Sequence, residues 1–209
     1  MAIPKEDQAL LQRALAHLGK ADRDIGRAIA EIGPPPPRGR PATFMALLHV
    51  IVAQQVSTHA AKAISDRLEA AMAAPDPAAF LALSEADLKA VGFSRQKMVY
   101  GRDLAGAFLD GRLSIPKLRR QNDDEAIATI TQIKGLGTWS AEVFLLFNLK
   151  RPDIMPAQDL ALIVAAQRLK RLAERPSPKE LRALAEQWRP YRSYAARLLW
   201  HYYRNAPPL

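Results

Sequence analysis

The chain has 209 residues, no cysteine, 49% hydrophobic residues and a net charge of +9. A disulfide framework, a cysteine zinc site and a cysteine-ligated iron–sulfur cluster are therefore excluded, and a chain this apolar folds around a core. The charge is lopsided: residues 1–159 hold 20 Lys and Arg against 18 Asp and Glu, whereas residues 160–209 hold 10 against 3, which fits either a polyanionic partner or a solvated basic face.

Apolar residues recur at three- and four-residue spacing and alternating runs are scarce, so the sequence predicts an all-α fold. Helices are predicted near 6–18, 21–32, 42–53 and 57–73. Pro34-Pro35-Pro36-Pro37 cannot be helical and reads as a stiff connector; a proline-rich partner motif is the other reading of that run. Phe44 to Ala53 is the longest apolar stretch, about half the length of a membrane-spanning helix. Pro75-Asp76-Pro77 marks a turn, followed by helices near 77–82, 85–90, 95–110, 123–133 and 138–149. Asp153 to Pro156 marks another turn, before helices near 159–173, 178–188 and 191–204. The first residues, MAIPKEDQALLQ, carry no secretory apolar core, so a cytoplasmic protein without a membrane span is expected. The four histidines show no metal-ligand spacing, and neither metal nor cofactor is expected.

The most informative stretch is Ile133-Lys134-Gly135-Leu136-Gly137-Thr138-Trp139-Ser140-Ala141. One helix ends near Ile133 and another begins near Thr138. Glycine permits positive φ angles and close approach of the backbone, and Leu136 between the two glycines is placed to anchor the turn in the core. A helix N-terminus framed by glycines suits a phosphate, through its N–H groups and the helix dipole. A plain tight turn between packed helices is the alternative.

Three other stretches stand in order with it. Ile51-Val52-Ala53-Gln54-Gln55-Val56-Ser57 lies upstream; Ala157-Gln158-Asp159-Leu160 follows a helix and a loop; Trp188-Arg189-Pro190-Tyr191-Arg192-Ser193-Tyr194-Ala195 and Trp200 close the series. Together these motifs resemble the helix–hairpin–helix DNA repair glycosylases, and the last resembles the 3-methyladenine DNA glycosylase II branch. The resemblance runs from about residue 40 to the end. It implies two helical lobes with a DNA-binding cleft between them, lobe A at about 1–42 plus 155–209 and lobe B at about 43–154, with the helix–hairpin–helix at about 123–149. The N-terminal β-rich domain of some members is not expected here.

The same resemblance implies roles for individual residues. Asp159 is the expected catalytic carboxylate; read from the residues alone it is the cap of the following helix, and the two roles are compatible. Breaking a deoxyribose–base bond builds positive charge on the sugar, which a carboxylate stabilises while it orients or deprotonates water. Trp139 stands where strand-cutting relatives carry a lysine nucleophile, so a monofunctional glycosylase that leaves an abasic site is expected. Trp139, Trp200 and Tyr194 are expected at the base pocket, where an indole face attracts a cationic alkylated base; core packing is the other role of such tryptophans. Gln55 is expected to fill the gap left by a flipped base, or else to face solvent. Gly135, Gly137, Thr138, Ser140, Lys134, Arg95 and Lys97 are the expected phosphate contacts. The implied partner is double-stranded DNA with damaged, alkylated purines, bound by a monomer. Excision of another lesion and a non-catalytic DNA-binding module are the alternatives.

Overall fold

A computed structural model describes residues 5–37 and 39–206. The first four residues, at the N-terminus considered above, lie outside them. Among the described residues the regular structure is all helix, with no strand. In chain order the helices are α1 (Lys5–Ala21), α2 (Arg23–Ile32), α3 (Phe44–Ala53), α4 (Thr58–Ala71), α5 (Pro77–Ala82), α6 (Glu85–Val91) and α7 (Arg95–Leu109). They continue with α8 (Ile115–Arg120), α9 (Asp123–Thr131), α10 (Thr138–Phe147), α11 (Leu160–Lys170), α12 (Pro178–Ala185), a 3-10 turn at Glu186–Trp188 and α13 (Arg192–Asn205). Among the described residues, no helix is long and apolar enough to cross a membrane.

Polar residues at the predicted breaks start these helices. Ser84, Asn122 and Ser177 each form a capping box with the acidic residue three positions on, an arrangement that satisfies two orphan backbone donors at once. Sequence reading missed α8. Ser114 caps it and Pro116 sits in its first turn, both ordinary start signals, but six residues are too few to show periodicity.

The chain divides into two compact units, Met1–Gly39 with Leu145–Leu209, and Arg40–Phe144. The boundary differs from the expected one, because 145–154 belongs with the C-terminal helices. Its polar groups explain why. Ser193 Oγ donates to the Arg151 carbonyl at 2.6 Å, and the Ile154 N–H donates back to Ser193 Oγ at 2.9 Å. Asp153 receives Arg192 Nε at 2.8 Å and Arg189 Nη1 at 2.7 Å.

In the second unit the core is aromatic. Phe44 meets Phe80 and Phe108 edge to face, at 6.1 and 5.5 Å. In the first unit Leu18, Ile25, Leu162, Leu169, Leu181, Trp188, Leu198 and Leu199 are wholly buried. The proline run is part of this unit: Pro35 is buried, and Arg197 Nη2 donates to the Pro36 carbonyl at 3.1 Å.

A buried carboxylate ties the first unit together. Asp22 is 4% exposed and caps α2. Its Oδ1 receives Lys170 Nζ from the end of α11 at 2.6 Å, and its Oδ2 receives the Trp188 indole N–H at 2.8 Å. Burial alone pushes the Asp22 carboxyl up, but the hydrogen bonds from Lys170 and Trp188 and the Lys170 charge outweigh it and hold the group below its ordinary value of 3.8. The sign follows. A carboxyl depressed in the folded state contributes stability above its unfolded pKa and loses it as pH falls through the folded one. Asp22→Ala is therefore expected to cost about 1–3 kcal/mol, because it leaves the buried Trp188 N–H without its acceptor and Lys170 with Asp24 alone, at 3.1 Å. Denaturant unfolding of the intact chain at neutral pH checks this. Below about pH 3.8 the wild-type advantage over the variant is expected to shrink.

Candidate functional site

Two groups of sequence-predicted residues form, one in each unit. The first centres on Asp159. The loop before it is tight: the Ala157 N–H donates to the Met155 carbonyl at 2.8 Å, and the Asp159 N–H to the Pro156 carbonyl at 2.9 Å. Asp159 then opens α11 in an extended conformation. Its Oδ1 accepts the N–H of Ala161 at 3.0 Å and of Leu162 at 3.2 Å, so the residue is a helix cap. It is more than a cap, because the Trp200 indole N–H reaches the same oxygen at 3.1 Å. Three donors on one oxygen set the position and plane of the carboxylate.

Trp200 is half-buried on α13 and stacks on Phe147, with ring centroids 5.4 Å apart and planes at 29°. These two rings line a small cavity with Pro35, Pro36, Arg197 and Arg204. Leu160, the residue after the carboxylate, is 63% exposed although it is leucine. Sequence reading placed Trp200 between pocket and core; the structure makes it a partner of Asp159. It did not single out Phe147, which looks like an ordinary apolar residue at a helix end. Tyr194 differs from expectation. It is 9% exposed, edges against Tyr191 and carries the Arg197 guanidinium 5.4 Å over its ring. Its surface is spent on neighbours, which describes a packing role.

The second group lies around the hairpin. Gly135 has φ of 83° and Leu136 is 3% exposed, so the turn hangs on a buried leucine. The Tyr100 ring lies directly over the Gly135 α-carbon, where a Cβ would overlap it. Gly137 faces open space, and its carbonyl accepts the Ala141 N–H at 3.0 Å, the first ladder bond of α10. The N–H groups of Thr138, Trp139 and Ser140 thus belong to the helix start, outside its ladder. Trp139 is 38% exposed. The Lys134 N–H donates to Asp103 Oδ2 at 2.8 Å while its side chain is exposed, as is that of Arg95 at the start of α7.

Two expected phosphate contacts have buried side chains. Ser140 is 5% exposed, so its hydroxyl is not at the surface and its N–H is what it offers at the helix start. Lys97 is 9% exposed, and its Nζ donates to the Val52 carbonyl at 2.7 Å. Burial pushes the Lys97 pKa down. The side chain closes the end of α3, where helix carbonyls favour a cation. In the turn that follows, Gln55 is exposed with φ of 56°, and Val56 is 37% exposed. Gln54 beside it donates from Nε2 to the Gly135 carbonyl at 2.7 Å.

Gly135→Ala meets both a positive φ and the Tyr100 ring. It is expected to destabilise the chain by at least about 1–3 kcal/mol, measured by denaturant unfolding. Adding Tyr100→Ala to Gly135→Ala is expected to relieve the steric part of the loss and leave the conformational part.

Comparison with known proteins places these residues in a family. Residues 48–190 match the model of the HhH-GPD superfamily base excision DNA repair protein. DNA-3-methyladenine glycosylase 1 of Schizosaccharomyces pombe (strain 972) is 29% identical over 197 residues, covering 91% of this chain and 86% of that protein. A Bacillus subtilis (strain 168) relative, YfjP, is 28% identical over 167 residues; that match covers 76% of this chain and 58% of the relative's length. Among solved structures, the S. pombe 3-methyladenine DNA glycosylase Mag1 in complex with abasic DNA superposes with a TM-score of 0.84 at 29% identity, covering 93% of this chain and 98% of that one. A DNA-3-methyladenine glycosidase from Bacillus halodurans superposes at 0.85 and 29% identity, over 92% of this chain and 89% of that one. The chain belongs to the HhH-GPD superfamily of base excision DNA repair proteins.

Proposed function

We propose that the chain is a monofunctional DNA glycosylase that excises alkylated purines of the 3-methyladenine and 7-methylguanine type from duplex DNA in the cytoplasm, leaving an abasic site. The observation that carries the reading is the convergence of three N–H donors, one of them the Trp200 indole, on Asp159 Oδ1. A helix cap needs only the backbone donors. The names of the S. pombe and B. halodurans relatives support the substrate class.

The chemistry follows from a fixed anion. As the C1′–N bond breaks, its electron pair leaves with the base and positive charge grows on the sugar. A purine alkylated at N3 or N7 starts as a cation and departs neutral, so no general acid is required. Asp159 stabilises the oxocarbenium-like sugar, a contribution largest when the charged group is already oriented. Water then bonds to C1′, and its proton passes to the carboxylate and on to solvent. Trp200 orients the carboxylate and, with Phe147, offers an aromatic surface beside it. In the hairpin, the α10 N-terminus with Gly135, Gly137 and Thr138 holds phosphate, while exposed Lys134 and Arg95 add charge. Trp139 presents its exposed indole to the cationic base, and Gln55 enters the duplex in its place.

Three outcomes test this reading. Incubation with methylated duplex DNA is expected to release free alkylpurine and leave alkali-labile abasic sites. Borohydride is expected to trap no protein–DNA adduct, since Trp139 cannot form a Schiff base; a trapped adduct overturns the monofunctional assignment. Trp200→Phe keeps the ring and removes one donor to Asp159. It is expected to slow excision about tenfold, the worth of one well-placed hydrogen bond, with DNA affinity little changed. An undiminished rate removes Trp200 from the carboxylate's support.

A further inference from the structure

The α3–α4 turn and the hairpin are far apart in sequence but joined by side chains. Gln54, the first residue past α3, donates from Nε2 to the Gly135 carbonyl at 2.7 Å. Two residues earlier the Val52 carbonyl accepts Lys97 Nζ, also at 2.7 Å. Lys97 and Tyr100 lie one turn apart on α7, and the Tyr100 ring backs Gly135. Thus α7 holds the end of α3 with one residue and the hairpin glycine with the next, and Gln54 closes the ring. Beyond Gln54 the chain takes an unusual path. Gln55 adopts φ of 56°, a left-handed conformation that L side chains seldom take. Such strain persists where neighbouring structure over-determines it. Here Gln54 fixes one side and Ser57, which accepts the Ala60 N–H at 3.1 Å, fixes the other.

We propose that Gln54 is a positioning residue for base extrusion: its amide holds the α3–α4 turn on the Gly135 carbonyl, so that the Gln55 side chain enters the duplex at a set distance from the phosphates gripped by the hairpin. The proposal rests on the reading of Gln55 as wedge and the hairpin as phosphate anchor. Its physical basis is mechanical. Extruding a base costs unstacking and unpairing energy. A wedge that recoils from its anchor does not hold that gain, and small misplacements at a reacting site are costly. Gln54 does not touch the base or the sugar; it acts through Gln55.

The test is a double-mutant cycle in the full chain. Gln54→Met keeps the length and removes the donor. Gln55→Ala removes the wedge. Each is measured by single-turnover release of 7-methylguanine from methylated duplex, and by the fluorescence of 2-aminopurine placed beside an abasic analogue, which reports unstacking. Gln54→Met is expected to slow release about tenfold and to weaken the fluorescence rise, while affinity for undamaged duplex and its salt dependence stay within about twofold. Combined with Gln55→Ala it is expected to add nothing, because both variants remove the same function. Gln54→Asn keeps the amide but falls one methylene short; it is expected to show the same deficit and serves if Gln54→Met folds poorly. Wild-type release by both Gln54 variants, or a fully additive double variant, overturns the proposal. If Gln55→Ala itself releases base at the wild-type rate, the wedge reading falls and the proposal with it. A slow Gln55→Ala beside normal Gln54 variants removes the proposal alone.

Discussion

Helix α11 is tied at both ends to an aspartate that accepts an indole N–H, and the candidate chemistry depends on that arrangement. At its C-terminal end Lys170 is bound to Asp22, which also takes the Trp188 N–H. At its N-terminal end Asp159 takes the Trp200 N–H. The two ends differ in burial and therefore in consequence. Asp22 is 4% exposed and fully enclosed by donors, so its charge is a structural commitment that is costly to leave unmatched. Asp159 is partly exposed, so the same bonding pattern leaves a carboxylate that is oriented yet accessible. One helix thus has a buried anion bound to its last lysine and an accessible one capping its start.

The second unit solves a different problem, holding two turns in register. A positive φ at Gly135 and another at Gln55 mark places where the backbone departs from easy conformations. Both are stabilised from α7 and from each other, by Tyr100, Lys97 and Gln54. Lys97 shows how a charge is used inside a protein. Its ammonium meets the Val52 carbonyl at the end of α3, which places a cation where the helix dipole favours one at the expense of its own hydration.

The residues that were legible in the sequence are those whose role is local. Ser, Thr, Asn and Asp caps, the proline breaks, the buried Leu136 and the Asp159 cap follow from short-range rules. Helix α8 was missed because six residues carry too little pattern, although Ser114 and Pro116 announced it. Roles that depend on partners distant in sequence were not legible. Whether Lys97 meets phosphate or Val52 is decided by the packing of α7 on α3, and whether Tyr194 lines a pocket or packs is decided by Tyr191 and Arg197. Family resemblance named Gln55 and Trp200, but the bonds that support them, Gln54 to Gly135 and Trp200 to Asp159, join residues 81 and 41 positions apart.

In the proposed function, the anion held at the start of α11 performs the excision. Single-turnover release of 3-methyladenine and 7-methylguanine from methylated duplex DNA, by the wild type and by Asp159→Asn, tests it most directly. An asparagine still offers an oxygen to the Ala161, Leu162 and Trp200 donors, so the variant is expected to keep its stability and its affinity for DNA. Release of both bases by the wild type is expected, with a loss of at least about 100-fold in the variant, the scale of removing one preorganised electrostatic group. No release by the wild type, or undiminished release by Asp159→Asn, contradicts it.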